Sequence, residues 1–444
     1  MLPHYKPQSK CSRLSQSLNS VHSLFISCNM KHHQHQLGWE LQNGKNNWLK
    51  DIPRKVLSAI LILLLLAVIP LFFSARVPLV LWGGLRDDSV SLHCDIFKGE
   101  WVPDPKAPYY TNTSCWAIHD HQNCMKYGRP DSAYLKWKWK PDDCRLPAFD
   151  PARFFDLMRG KSLAFVGDSV GRNHMQSLIC MLSRVEYPED ASKGGDEKYR
   201  RWYYTSYDFT IQAMWSEFLV KGKQTDQHGP TNTGLFSLYL DEPDEQWVSK
   251  LQGFDYVIVS VGHWFLRPLL YYERGELVGC QFCPGANMTD LGKEYGYRRA
   301  FRTAFRAING LQNFKGITYL RTFAPSHFEN GQWNKGGHCL RGKPFKSNET
   351  SLGGIDMEFY RAQLEEFREA EKEGKKRGLK FRLLDITRAM LMRPDGHPGI
   401  YGHRREENVT LYNDCVHWCL PGPIDAWSDF FLQMLKMEKS YSSS

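Results

Sequence analysis

The sequence predicts an α/β fold in which a mainly parallel sheet carries helices on both faces. From Lys161 onward, short β-type runs alternate with amphipathic helical segments, the pattern of a parallel sheet built by crossovers. In a parallel sheet the carboxyl ends of the strands gather at one edge, where such sheets bind ligands. At 444 residues, 42% hydrophobic and 24% charged, the chain has ordinary globular composition with room for a full core and accessory segments.

The elements read in order. Strand 163–166 feeds a helix through about Leu182, with Met175, Leu178, Ile179 and Leu182 at helical spacing. A polar insertion follows, then strand "DYVIVSV" at 255–261. Tyr297, Ala300, Phe301, Ala304, Phe305 and Ile308 mark one face of the next helix, which leads to strand "GITYLRTF" at 316–323. Met357, Tyr360, Leu364 and Phe367 mark another helix, ended by Gly378, and strand "FRLLDIT" at 381–387 completes the series. Ser169, Gly262, the segment after Phe323 and the loop after Thr387 all fall at the carboxyl edge.

Four segments precede this core. Residues 1–55 form a polar, basic tail with a His/Gln cluster, expected to be disordered. They hold eight basic and two acidic side chains, so six of the chain's nine net positive charges lie there and only three remain for the rest, too few for a nucleic-acid partner. Residues 56–74, "VLSAILILLLLAVIPLFFS", carry no charge and are long enough to cross a bilayer. They are too long and too far from the N-terminus for a cleaved signal. Arg54 and Lys55 at the edge predict a type II signal anchor with the tail in the cytosol and everything after it lumenal. Residues 75–90 are a short stem, residues 91–150 a Cys-, Trp- and Pro-rich module held to the main body by disulfides, and residues 151–440 the α/β domain.

Lumenal placement agrees with four N-x-S/T sequons, at Asn112, Asn287, Asn348 and Asn408, all after the span. Ten of the twelve cysteines also follow it. An even number in an oxidising compartment reads as a disulfide framework whose pairing the sequence leaves open. Cys280-x-x-Cys283 as a redox pair, and Cys415, His417 and Cys419 as metal ligands, are the alternatives. The first pair sits in a Gly/Pro-bearing loop, and no second closely spaced pair completes a zinc site, so no metal is expected.

The stretch "LAFVGDSVGRNHMQ" from Leu163 puts Ser169 where strand turns to helix. Ser169 reads as a helix N-cap, as a nucleophile, or as both. A nucleophile needs a base, and "NDCVHWC" near the C-terminus sets Asp414 three residues before His417. One turn of backbone brings an Asp oxygen beside one ring nitrogen, which fixes the tautomer and leaves the other nitrogen to accept a serine proton. Trp137 and Trp139 alternate with Lys136 and Lys138 and read either as sugar-stacking faces or as a half-buried strand. Asp395 and His397 in "RPDGHPG" read as a structured turn.

Gly167-Asp168-Ser169 together with Asp414-x-x-His417 resembles the paired signature of the plant trichome-birefringence-like family, a branch of the GDSL/SGNH hydrolase-like proteins. "GRPDSAYLKWKW" from Gly128, "TFAPSHFENGQWNKGGHC" from Thr322 and "RPDGHPGIYG" from Arg393 extend the resemblance from about Cys94 to Leu435. It implies an SGNH-like three-layer sandwich and a Golgi polysaccharide O-acetyltransferase, closest to the xyloglucan-acetylating branch, with mannan acetylation as the near relative. It further implies a Ser169, His417, Asp414 triad working through an acetyl-serine, with Gly167, Asp168, Arg172, Asn173 and Gly262 supporting the site. The amides of Ser169 and Gly262 are the oxyanion donors it suggests. His263 and Trp264 stand where the hydrolases commonly have Asn-Asp, and Gly171 and His174 where relatives often differ.

No bound cofactor is expected beyond a transient acetyl donor, acetyl-CoA or an acetylated intermediate from a donor-supplying membrane protein. Two other readings share these residues: an acetylesterase using water as acceptor, and a non-catalytic wall-glycan-binding protein.

Overall fold

The computed structural model describes residues 95–194, 196–225, 234–403 and 412–442. The tail, the expected span at 56–74, the stem, Cys94 and the Asn408 sequon lie outside them. No helix among the described residues is long and apolar enough to cross a membrane.

A seven-stranded sheet with the order β13-β12-β9-β3-β6-β5-β4 organises the α/β part. Strands β3 (Ser162–Gly167), β6 (Phe209–Trp215), β9 (Tyr256–Ser260), β12 (Ile317–Arg321) and β13 (Lys380–Leu384) run parallel. Strands β4 (Glu189–Asp190) and β5 (Arg201–Tyr204) add an antiparallel edge. Along β3, Leu163 and Phe165 join one apolar cluster while Ala164 and Val166 join the other. Every residue from Leu163 to Val166 is therefore buried, which is why a continuous apolar run and not an alternating one encodes this strand.

Helices α2 (Ser169–Leu182) and α7 (Ala426–Ser442) pack into the first cluster, as does α1 (Pro151–Met158). Helices α4 (Gly292–Gly310) and α5 (Gly354–Lys376) pack into the second. Between these come the short α3 (Glu245–Val248) and, after β13, α6 (Thr387–Leu391). The expected strand at 381–387 is thus shorter than read. Thr387 opens α6, and its hydroxyl bonds Thr322 Oγ1 at 2.8 Å and the Phe323 carbonyl at 2.6 Å.

The polar insertion is strand-rich. It holds β4 to β6, and β7 (Val220–Gln224) and β8 (Phe236–Pro243) build a second, four-stranded sheet with β10 (Leu269–Glu273) and β11 (Glu276–Gln281). Strand β7, "VKGKQ", buries only Val220, so neither a period of two nor an apolar run announces it.

The N-terminal module forms an antiparallel pair, β1 (Gly99–Pro103) with β2 (Trp137–Pro141). Trp139 is buried and donates Nε1–H to the Ile96 carbonyl at 2.9 Å, and Trp137 packs against the core. The half-buried-strand reading of this stretch holds, and the sugar-stacking one does not. Disulfides Cys115–Cys180 and Cys124–Cys419 fasten the module to the α/β domain; Cys280–Cys283 and Cys339–Cys415 close within that domain, and Cys144 is also bonded. Cys415 and Cys419 are therefore not thiolate ligands. Asn287 and Asn348 are exposed and Asn112 is partly exposed.

Two tyrosines of the module dock on buried acids of the C-terminal helix region. Tyr109 donates to Asp429 and Tyr110 to Asp425, both at 2.8 Å, and Ser177 also donates to Asp425. Burial pushes Asp429 up to about 8 and Asp425 up to about 6. A carboxyl whose folded value is raised binds more protons folded than unfolded, so its stabilising contribution is complete below about pH 4 and fades as pH rises through the folded value. Asp429→Asn, which keeps an acceptor for Tyr109, is expected to raise Tm by roughly 2–4 °C at pH 8 and leave it unchanged at pH 4. Equal Tm differences at the two pH values would contradict this.

Candidate active site

The turn from β3 into α2 is built around Asp168. Its carboxylate accepts from the amides of Val170 (3.0 Å) and Gly171 (3.4 Å), capping the helix, and from the Gly262 amide at the end of β9 (2.8 Å). Asp168, not Ser169, is the N-cap. Ser169 is the first helical residue, and its hydroxyl is free of the capping duty that the sequence left open to it. Gly167 permits the approach: its φ is +155°, and a Cβ there would sit 1.8 Å from the Ser260 carbonyl oxygen. Asp168 is 1% exposed. Burial pushes its carboxyl up, opposed by the Arg321 charge and the three amides.

The second half of the site is the turn after Asn413. Asp414 Oδ1 accepts the amides of Val416 (3.1 Å) and His417 (2.9 Å), an Asx turn that folds the side chain back onto His417. Asp414 Oδ2 lies 2.8 Å from His417 Nδ1, and His417 Nε2 lies 2.7 Å from Ser169 Oγ. A carboxylate only accepts, so Nδ1 carries the hydrogen and Nε2 offers its lone pair to the serine hydroxyl.

This turn is held from several sides. Asp414 and Gly399 exchange both backbone hydrogen bonds at 2.9 Å. Disulfides anchor Cys415 to Cys339 and Cys419 to Cys124, bracketing His417 in the chain. Asn173 accepts from the Trp418 amide (2.8 Å) and donates to the Trp418 carbonyl (3.3 Å), so the helix that Ser169 opens grips the residue next to the histidine. His397 bonds the His417 carbonyl through Nδ1 and His327 through Nε2, each at 2.7 Å. Asp395 makes a fully buried ion pair with Arg393 at 2.7 Å, which fits the structured-turn reading of that motif.

The electrostatics match the hydrogen bonds. Burial disfavours the charged His417 ring, but the Asp414 carboxylate outweighs it and holds the ring above its ordinary value. Burial would raise Asp414; His417 and the two turn amides instead bring it far below the carboxylate range. Neighbouring His121, whose ring centroid is 5.6 Å from that of His417, is pushed down to about 4 by burial and the His417 charge. His263 is lowered to about 3 for the same two reasons.

Of the expected supporting residues, Gly167, Asp168 and Asn173 build the turn and the clamp as described. Arg172 lies with its guanidinium over Trp215, 4.8 Å from the ring centroid. Gly262 is a correction: its amide is taken by Asp168 and is not directed to an oxyanion. His174 is fully buried between Phe165 and Trp427, lowered to about 3 by burial, and belongs to the core. Sequence reasoning missed His121 and the carbonyl contact of His397. His121 reaches the triad because Cys124 bonds Cys419, a pairing no spacing reveals.

Comparison with known proteins gives the family. The PC-Esterase profile, described as a GDSL/SGNH-like acyl-esterase family found in Pmr5 and Cas1p, matches residues 146–434. The chain belongs to this family. The PMR5 N-terminal domain profile matches residues 92–145, the module that precedes the acyl-esterase part. Protein trichome birefringence-like 19 of Arabidopsis thaliana is 60% identical over 359 residues, spanning 80% of this chain and 84% of the relative. Xyloglucan O-acetyltransferase 4 of Populus trichocarpa is 48% identical over 344 residues (77% and 81%), and xyloglucan O-acetyltransferase 2 of Arabidopsis thaliana 46% over 346 (77% and 83%). The family resemblance read from the motifs is therefore correct.

Proposed function

We propose that the protein is a polysaccharide O-acetyltransferase that moves an acetyl group onto a hydroxyl of xyloglucan through an acetylated Ser169. The observation that carries the reading is the unbroken chain from Asp414 through His417 to Ser169, with contacts of 2.8 and 2.7 Å. His417 Nε2 takes the Ser169 proton as Oγ attacks the donor's acetyl carbonyl. The tetrahedral intermediate collapses, His417 returns the proton to the departing donor group, and acetyl-Ser169 remains. A sugar hydroxyl then gives its proton to His417 and attacks, restoring Ser169. Ser169's own amide, at the N-terminus of α2, is the oxyanion donor in this scheme. The donor is acetyl-CoA or an acetylated intermediate handed over by a membrane protein, and the placement is a Golgi membrane, type II, with the α/β domain lumenal.

The acceptor assignment follows the relatives named for xyloglucan; mannan or another wall glycan is the second choice. The experiment is to incubate the purified full-length protein with acetyl donor and deacetylated xyloglucan or mannan oligosaccharides and follow acetylated product by mass spectrometry. Product on xyloglucan is expected. Acetyl lost from pre-acetylated glycan, with none gained, would turn the reading to the esterase; neither reaction would turn it to a glycan-binding protein.

The base must be neutral to accept the serine proton, and its folded value is raised. Activity is therefore expected to fall as pH drops through that value, with the acid-side half-maximum of kcat/KM above pH 6.5, the ordinary imidazole value. A half-maximum below 6.5 would remove His417 as the titrating base.

A further inference from the structure

Helix α2 does more than present Ser169. Arg172, Met175, Gln176 and Ile179 recur at the i, i+3, i+4, i+7 spacing of one helical stripe, and this stripe floors an open cleft of about 220 Å³. At the α-helical rise the floor runs about 10 Å from Arg172 to Ile179, beginning one turn beyond the nucleophile. Trp116 and His119 of the N-terminal module form one wall, and Arg200 and Trp202 at the sheet edge another. His121 joins the cleft to the triad, its ring 5.6 Å from those of both His119 and His417.

Three features say what the cleft takes. Gln176 is 3% exposed and its Oε1 has no partner, and the buried Nε of Arg172 has none either. A buried acceptor and a buried donor without partners, both on cleft-lining residues, call for a ligand that brings hydroxyls. Trp116 is 50% exposed although its ring meets Trp202 edge-on at 4.9 Å, leaving a face for an apolar ring surface. The charges nearly cancel. The lining holds Arg172, Arg200 and Glu197, and Arg200 is paired both with Glu197 (3.2 Å) and with Asp190 (2.5 Å) behind the wall. An anionic ligand finds no surplus of positive charge there.

We propose that this trough is the acceptor site, binding an uncharged oligosaccharide whose ring stacks on Trp116 and whose hydroxyls bond Gln176 and Arg172. Calling the ligand the acceptor rests on the transferase reading; the trough as a neutral-glycan site does not. The N-terminal module then contributes to substrate recognition as well as packing. A second exposed aromatic pair, Trp333 and Tyr412 with centroids 5.9 Å apart, is the rival platform. The trough is favoured because it alone of the two adds the unpartnered Gln176 and Arg172 atoms.

The test is calorimetric titration of full-length Ser169→Ala protein, which cannot turn over, with deacetylated xyloglucan and mannan oligosaccharides and with oligogalacturonate as the charged control. At least one neutral glycan is expected to bind, and oligogalacturonate is not. In the same background Trp116→Ala is expected to raise Kd at least about tenfold and Gln176→Ala several-fold, Trp116→Phe to recover most of the loss, and Trp333→Ala to stay within about twofold. Binding unaltered by Trp116→Ala and Gln176→Ala, loss carried by Trp333→Ala, or no binding of either neutral glycan would overturn the trough. Glycan binding that follows these variants, while the parent protein with Ser169 intact forms no acetylated product from donor and glycan, would keep the trough and retire the transferase.

Discussion

Ser169→Ala is expected to lower acetyl transfer by at least about 10⁴-fold and to leave the fold intact. The serine hydroxyl bonds His417 Nε2, and the His417 side chain keeps 20% of its surface exposed, so water replaces the lost partner. The cap of α2 is untouched because it belongs to Asp168. Initial rates on the acetylated glycan product, beside far-UV circular dichroism and Tm, check both halves. Comparable rates in the variant and the parent would remove Ser169 from the chemistry.

The second large effect is expected from Cys124→Ser combined with Cys419→Ser. This disulfide joins positions 295 residues apart and ends two residues beyond His417. Its removal is expected to cost about 2–5 kcal/mol of stability, read as a lower denaturation midpoint with an unchanged slope. It also frees the turn that aims His417 at Ser169, and a misplacement of about 1 Å at such a contact costs about 10²-fold in rate. The companion Cys280→Ser with Cys283→Ser removes a bridge between residues three apart, far from the triad in the chain. It is expected to leave kcat unchanged and to cost less stability. Equal losses of kcat in the two double variants would show that disulfide loss acts through general instability and not through the His417 turn.

The contrast between these two bridges shows where the sequence is legible. Four of the five parallel strands were readable because buried strands are encoded as apolar runs and two-faced helices as periodic ones, as in residues 163–166 and the Tyr297 to Ile308 face; the fifth, β6, lay hidden in the polar insertion. The four-stranded sheet was not readable, since β7 buries one side chain and leaves Lys221, Gly222, Lys223 and Gln224 outside the core. At the site, the Asp414-x-x-His417 spacing anticipated a carboxylate beside a ring nitrogen; that an Asx turn delivers it, and to Nδ1, comes from the structure. The division of labour between Asp168 and Ser169 was not legible, because either residue type caps a helix and only the backbone decides which one does. Likewise Gly262 lies at the expected sheet edge, but its amide had already been engaged by Asp168 through a contact 94 residues distant in sequence. The exposed tryptophan beside helix α2 is Trp116, brought there by the Cys115–Cys180 bridge. The alternating Trp137 and Trp139, which drew attention in the sequence, pack inward.

The central claim is that Ser169 becomes acetylated. Mixing the purified full-length protein with acetyl donor in the absence of glycan, quenching in acid and mapping peptides by mass spectrometry reads this directly. One added acetyl group on the peptide that contains Ser169, absent from the Ser169→Ala protein and discharged when acceptor oligosaccharide is added, is the result predicted. An acetyl group that never appears on that peptide while acetylated glycan accumulates would contradict the account and require direct transfer from donor to acceptor.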